Sequence, residues 1–256
     1  MNRDQVKIAV TLIRIRSISV IVPKPKAMKH IFTFLICLGG VAITVAAQSK
    51  IKASDIIKQI NEGHDVSYSN AEIEGNLDFT DLANRTNRHS SGNWFKQDDT
   101  FIGTVKVSLS FTGCIFSGDV LAYYHLRRDE QTFLANFEKN VVFKNCTFKR
   151  ASEFKYSEFA ETVSFSGSTF SEVANFKYAE FANGPSFADV KFEGGADFKY
   201  TEFPRETSFQ KATFYDLANF KYSKFKSPLN MDGVAFKGSE DFNYTRLDGR
   251  SFPWEE

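Results

Sequence analysis

From Phe143 to Leu247 a large apolar residue recurs at alternating gaps of five and six, a strict period of eleven kept for ten consecutive units. Such a rhythm is the mark of a solenoid, in which each unit buries its apolar side chain against the units above and below. One set is Phe143, Phe154, Phe165, Phe176, Phe187, Phe198, Phe209, Phe220, Met231 and Phe242. The other is Phe148, Phe159, Phe170, Phe181, Phe192, Phe203, Phe214, Phe225, Phe236 and Leu247, so that eighteen of the twenty positions are Phe. A repeat that stacks its own aromatic core leaves few residues whose presence only chemistry can explain.

A slower rhythm sets the size of one turn. Phe154-Lys155-Tyr156 returns as Phe176-Lys177-Tyr178, Phe198-Lys199-Tyr200, Phe220-Lys221-Tyr222 and Phe242-Asn243-Tyr244, every twenty-two residues. Residues with that spacing lie above one another, so one coil has twenty-two residues and four Phe-centred faces, and ten units make five coils. Two places before each member of the second set the side chain is compact, from Cys146, Ser157 and Ser168 to Val234 and Thr245. The interior therefore admits one large side chain per face.

A large apolar centre at five-residue spacing with a small residue two places earlier resembles the pentapeptide-repeat family. Ala174-Asn175-Phe176 and Ala218-Asn219-Phe220 carry the resemblance most directly, and with gaps it extends over roughly 101–252. It implies an all-β fold, a right-handed quadrilateral parallel β-helix. Alternate repeats here hold one extra residue, which has to bulge at two of the four corners of each coil. At the strand spacing of about 4.8 Å, five coils make a body about 24 Å tall. Some members of the family mimic DNA, but those are acidic cytoplasmic dimers.

The first forty-seven residues read differently. Met28-Lys29-His30 precedes an apolar run from Ile31 to Ala47, and Val45-Ala46-Ala47 before Gln48 offers the small residues of a cleavage site. Residues 28–47 read as a signal peptide, and 1–27 as an upstream extension or a mis-assigned start. The expected location is periplasmic or secreted, with an uncleaved membrane anchor as the alternative for a run that is short for a spanning helix. Without residues 1–47, which hold seven Lys/Arg and one Asp, the chain has 25 basic and 30 acidic residues, net −5. Both signs are mixed along the coils, so no nucleic-acid partner is expected.

Residues 48–66 hold the expected capping helix: Ser54 as N-cap, Asp55 in the first turn, and Ile56, Ile57 and Ile60 on one side before Gly63. Residues 67–142 read as degenerate coils with two loop insertions, followed by regular coils over 143–252. Phe252, Pro253 and Trp254 are placed to cover the far end, since an open solenoid end exposes strand edges. Cys114 and Cys146 occupy the small interior position, either as buried free thiols or, in an oxidising compartment, as a disulfide. Asn84, Asn145 and Asn243 each begin a glycosylation sequon.

Three features are candidates for binding. The insertion from about Ala83 to Thr100 carries Trp94 and Phe95, which either seal the solenoid flank or bind. The second, about Ser117 to Thr132, carries Tyr123, Tyr124 and His125 beside Arg127 and Arg128, a combination found in interaction hot spots. The third is the face with Tyr156, Tyr178, Tyr200, Tyr222 and Tyr244 beside Lys155, Lys177, Lys199 and Lys221, either a structural ladder or a strip on which a glycan stacks. Glu153, Asp197 and Asp241 on one side, and Glu158, Glu180 and Glu202 on the other, are expected to neutralise these lysines.

Catalysis finds little support. His64, His89 and His125 lie far apart in the chain, outside metal-ligand spacing, and no phosphate loop or nucleophile elbow occurs. The Glu column recurs with the coil, whereas a catalytic group needs a unique environment. The sequence therefore predicts an exported, non-enzymatic scaffold or protein-interaction module without cofactor or metal. Alternatives are a carbohydrate or cell-wall polymer binder using the Tyr/Lys face and, further off, a glycan-cleaving β-helix enzyme. Pairing of coils into a homodimer stays open.

Overall fold

The corner of each coil follows from its turn chemistry. In Phe154–Ser157 the N–H of Ser157 donates to the carbonyl of Phe154 at 3.2 Å, and the third residue, Tyr156, has φ +60°. This is the type II turn, which requires a positive φ at its third position. Positive φ returns every eleven residues at Asn145, Tyr156, Gly167, Tyr178, Asp189, Tyr200, Lys211, Tyr222, Gly233 and Tyr244. These are the two bulged corners per coil that the extra residue demands. Asx and Ser turns lead into them: Lys177 N–H donates to Asn175 Oδ1 at 3.1 Å, Lys199 N–H to Asp197 Oδ1 at 3.0 Å, and Ser166 N–H to Ser164 Oγ at 3.3 Å. The Asn or Asp before the central Phe is thus part of the corner.

The computed structural model describes residues 35–38, 41–44, 48–88 and 99–253. It divides into units 1–47 and 48–256. The first contributes the antiparallel strands Leu35–Leu38 and Val41–Thr44. The second is a four-faced parallel β-helix. Its faces follow one another in each coil as, for example, Val163–Ser164, Thr169–Phe170, Ala174–Asn175 and Glu180–Phe181. Every rung of the regular part pairs in parallel with the residue twenty-two later, as in Phe148↔Phe170 and Ala174↔Ala196. The third face stacks seven strands, from Leu77–Asp78 to Glu240–Asp241. Two full coils therefore precede the five regular ones.

The core is four columns of rings. Along the axis, Phe148 and Phe170 stack at 4.5 Å, Phe176 and Phe198 at 5.3 Å, and Phe203 and Phe225 at 4.6 Å, with planes within 8°. Across the axis the columns meet edge to face, as Phe176 and Phe187 do at 5.3 Å and 79°. Both are the favoured arrangements of the aromatic quadrupole.

Hydroxyls at the compact positions are matched to this stack. Thr201, Ser223 and Thr245 donate to the carbonyls of Phe176, Phe198 and Phe220 at 2.6–2.7 Å. Ser157, in the same column, has no partner, because the preceding coil departs from the repeat at that corner; Ser152 is also unsatisfied. Ser157→Ala is expected to leave stability unchanged or raise it, whereas Ser223→Ala, which removes a made bond, lowers it by about 1 kcal/mol. Equilibrium urea unfolding of the two variants reads the contrast.

Cys114 and Cys146 are buried free thiols. Burial pushes the Cys146 thiol up to about 12, so it stays protonated and poorly nucleophilic.

Several sequence expectations are corrected. The helix α1 spans Ala53–Asn61, and its N-cap is Lys52, with no side-chain cap, rather than Ser54. The strand Ser49–Lys52, paired with Ala71–Glu74 on the second face, runs straight into it and places Ser54 in the first turn. Ala53, Ile56 and Ile60 of α1 are buried in the solenoid core. At the far end Phe252 stacks on Phe242 at 5.0 Å, while Trp254 lies outside the described residues.

Each insertion adds an antiparallel strand pair, a hairpin, to the fourth face, and residues 89–98 of the first lie outside the described residues. Thr86–Arg88 pairs antiparallel with Thr100–Val105, and Tyr123–Leu126 with Gln131–Phe137. Ser117–Leu121 stays within a coil, because Val120–Leu121 holds its third-face rung. The long strands of the two hairpins pair in parallel, and Phe101 and Phe133 stack at 5.1 Å.

Candidate functional site

One corner of the solenoid gathers most of the residues singled out in the sequence. The turns between the third and fourth faces hold Tyr156, Tyr178, Tyr200, Tyr222 and Tyr244 at φ 59–62°. A positive φ on a bulky residue is strained by about 1–2 kcal/mol. Gly or Asn suits the position better, and the Gly167 and Asn145 corners have them. What the tyrosines gain is a stack: consecutive rings lie 4.7–4.8 Å apart with planes within 7°. Such pairs are worth about 0.5–1.5 kcal/mol each, which offsets part of the strain. Each inner ring has both faces covered by its neighbours, so the column presents edges to solvent and no flat platform on which a sugar could stack.

The lysines lie against the rings. Lys199 Nζ is 5.2 Å and 5.7 Å from the centroids of Tyr200 and Tyr222, and Lys177 Nζ is 5.3 Å from that of Tyr178. The expected neutralisation by flanking carboxylates is largely absent. Among the described residues only Lys221 of this column reaches one, Asp241 at 4.0 Å. Glu202 pairs with Lys224 instead, because the pairing register stacks Lys224 on Glu202 on the fourth face.

The second hairpin joins this column. Tyr123 lies 6.0 Å from Tyr156, ring to ring, and Lys155 Nζ reaches both the Tyr123 ring at 4.5 Å and its hydroxyl at 3.3 Å. Tyr123 thus extends the ladder by one ring, so that two features separate in sequence form one surface. Tyr124 is 47% exposed. His125 Nδ1 lies 3.0 Å from Thr132 Oγ1 inside the hairpin. Arg127 and Arg128 are at its turn. Trp94 and Phe95 lie outside the described residues.

Beside the ladder runs a groove of about 510 Å³. The tyrosine column from Tyr156 to Tyr222 forms one wall, and Glu158, Glu180 and Glu202 line it from the fourth face, followed by Lys224. Ile102, Leu134 and Asn136 from the hairpin strands complete it, with Arg88. Sequence reasoning missed Arg88, Ile102, Leu134 and Asn136. Leu134 precedes Asn136 and Phe137 on a strand whose Phe137 pairs with Phe159, which sets Leu134 level with Tyr156; nothing local in the sequence announces that register.

Glu153, on the third face, is a different case. Burial raises its carboxyl above the usual range, a shift only partly offset by the hydrogen bond from Asn175 Nδ2 at 2.7 Å and by Lys155. A carboxyl with a raised folded-state pKa disfavours folding once it is ionised, so the penalty is full above the folded value and vanishes below the unfolded one. Glu153→Gln is expected to raise stability at neutral pH, with the gain disappearing as the pH falls into the carboxylate range. Thermal unfolding at pH 7 and pH 4 checks it; a variant less stable at pH 7 would contradict it.

Among the described residues no group of three His, Cys, Asp or Glu is placed to hold a metal ion. None of the described helices is long and apolar enough to cross a membrane. The family model described as pentapeptide repeats, nine copies, matches residues 134–180 and 176–224. No curated protein and no solved structure matches the chain.

Proposed function

Because this chain belongs to the pentapeptide-repeat family, a family of structural and interaction repeats, we propose that it is a non-enzymatic scaffold that binds a protein partner at the corner shared by the tyrosine ladder and the hairpins. The observation that carries the reading is the junction at Tyr123, where the hairpin and the five-ring column become one continuous aromatic and basic surface. Strained backbone points to function where the same corner could be built from less strained residues, and the other corners show that it could. A protein is preferred to a polysaccharide as partner because the inner ring faces are already covered.

In this reading the protein works outside the cytoplasm. Met28-Lys29-His30, the apolar run and Val45-Ala46-Ala47 support export, and the division of the chain at Ala47 falls at the same place. Intact-mass measurement of the exported protein should give Gln48 as its first residue; retention of residues 28–47 would replace release by anchoring.

The binding test uses the chain immobilised in a native envelope extract beside Tyr123→Ala/Tyr124→Ala and Tyr178→Gly/Tyr200→Gly variants. Glycine relieves the φ strain as it removes a ring, so the second variant stays folded. The expected result is a protein retained by the wild type and lost with both variants. Glycan retention lost only with Tyr178→Gly/Tyr200→Gly would favour the polymer-binding alternative.

A further inference from the structure

Four carboxylates on the outer surface of the coils pair with a cation on an adjacent rung. Glu161 meets Lys139 at 3.1 Å, Glu172 meets Arg150 at 3.3 Å, Glu202 meets Lys224, and Asp241 meets Lys221 at 4.0 Å. Glu158 and Glu180 are not among these four: they stack directly on one another in the parallel register and have no ion-pair partner among the described residues. Like charges directly opposite on neighbouring strands are destabilising, and the relief used elsewhere, a Lys on the next rung, is missing here. Both residues line the groove of about 510 Å³, across from the tyrosine wall, together with Arg88 and with Lys224, which is taken by Glu202.

We propose that this groove receives an extended basic segment of the partner protein, whose lysine or arginine side chains neutralise Glu158 and Glu180. The inference rests on the corner being the interaction surface and adds the chemistry of what it binds. The tyrosine wall from Tyr156 to Tyr222 is about 14 Å long. At about 3.3 Å per extended residue it matches four residues of chain, with side chains of one sense at every second position. Ile102 and Leu134, beside the acidic stretch, offer an apolar seat. A partner with an apolar residue next to alternating basic ones satisfies both parts of the groove. An amine-bearing polysaccharide has no side chain for the apolar part.

The test is calorimetric titration of the full chain with an acetylated hexapeptide alternating Val and Lys, its Glu-for-Lys counterpart, and a glucosamine hexamer. The expected result is binding of the Lys peptide alone, weakened at least tenfold in Glu158→Gln/Glu180→Gln, unchanged in Glu172→Gln, and falling with added salt. Both groove glutamates are exposed, so the double variant keeps the fold, as circular dichroism will show. Three results would overturn the proposal: no binding of the Lys peptide, equal binding by the double variant, or glucosamine-hexamer binding with the same dependence on Glu158 and Glu180. An extract protein lost with Tyr123→Ala/Tyr124→Ala but retained by Glu158→Gln/Glu180→Gln would overturn it too, while leaving the corner as the interaction surface. An extract protein indifferent to all of these variants would remove the corner itself.

Discussion

Phe198→Ala is expected to cost about 3–5 kcal/mol of stability. Phe198 is fully buried, stacks on Phe176 at 5.3 Å and Phe220 at 5.0 Å, and meets Phe187 and Phe209 edge-on at 5.3 Å and 5.5 Å. Removing it opens a gap in one column and takes two edge contacts from the neighbouring column of Phe187 and Phe209. The backbone cannot collapse into the space, because Ala196 and Phe198 are held by rung hydrogen bonds of 2.8 Å to the following coil. In a stacked array stability is a sum of nearest-neighbour interfaces, so a central break should also spread the unfolding transition. Phe242→Ala, in the last and partly buried coil, should cost less. Guanidinium unfolding followed by circular dichroism compares them; a loss below 1 kcal/mol at Phe198 would contradict the ring-column core.

Two adjacent glycines should respond in opposite ways to the same methyl group. A Cβ on Gly194 would lie 2.5 Å from the carbonyl carbon of Glu172 and 2.7 Å from its oxygen, while one on Gly195 would meet nothing nearer than the Leu217 carbonyl at 3.8 Å. The clash at Gly194 is with backbone of the neighbouring coil, which moves only if the coils separate. Gly194→Ala is therefore expected to lose about 3 kcal/mol. Gly195→Ala should change stability by less than about 1 kcal/mol, towards stabilisation, because it restricts the unfolded chain. Equal effects at the two sites in thermal unfolding would show that the coil spacing at this corner is wrong.

The repeat was legible because its physics is local and redundant. Each Phe reports the same packing demand, and Lys-Tyr after every second Phe of the first set gives the coil length without a structure. The extra residue in alternate repeats called for two bulged corners, and positive φ at Tyr156, Tyr178, Tyr200, Tyr222 and Tyr244 supplies one of them. That tyrosine occupies a left-handed position was not legible, since turn propensity points to Gly or Asn there, and only the neighbouring rings make Tyr tolerable. Ser54 misled because a cap is read from one residue, whereas the helix start is decided by the strand Ser49–Lys52 that delivers the chain to it. The second insertion looked like a loop because its charged turn, Arg127 to Glu130, hides the alternation of the strands beside it.

The groove was the least legible part. Ile102, Leu134, Glu158 and Glu180 are far apart in the chain and meet only through the parallel register of the fourth face. From sequence the Glu column appears as a partner for the lysines. In three dimensions the lysines of the ladder lie on the rings, and Glu158 and Glu180 line the groove without an ion pair among the described residues.

Hydroxyl-radical footprinting of the chain alone and bound to the protein it retains from an envelope extract tests the central claim, that this corner is the working surface. The account predicts that Tyr123, Tyr156, Tyr178, Tyr200 and Tyr222 lose reactivity on binding while Tyr215, which is paired with Lys237 away from the ladder, keeps its own. Protection at Tyr215 with the ladder unchanged, or the absence of any bound protein, would contradict it.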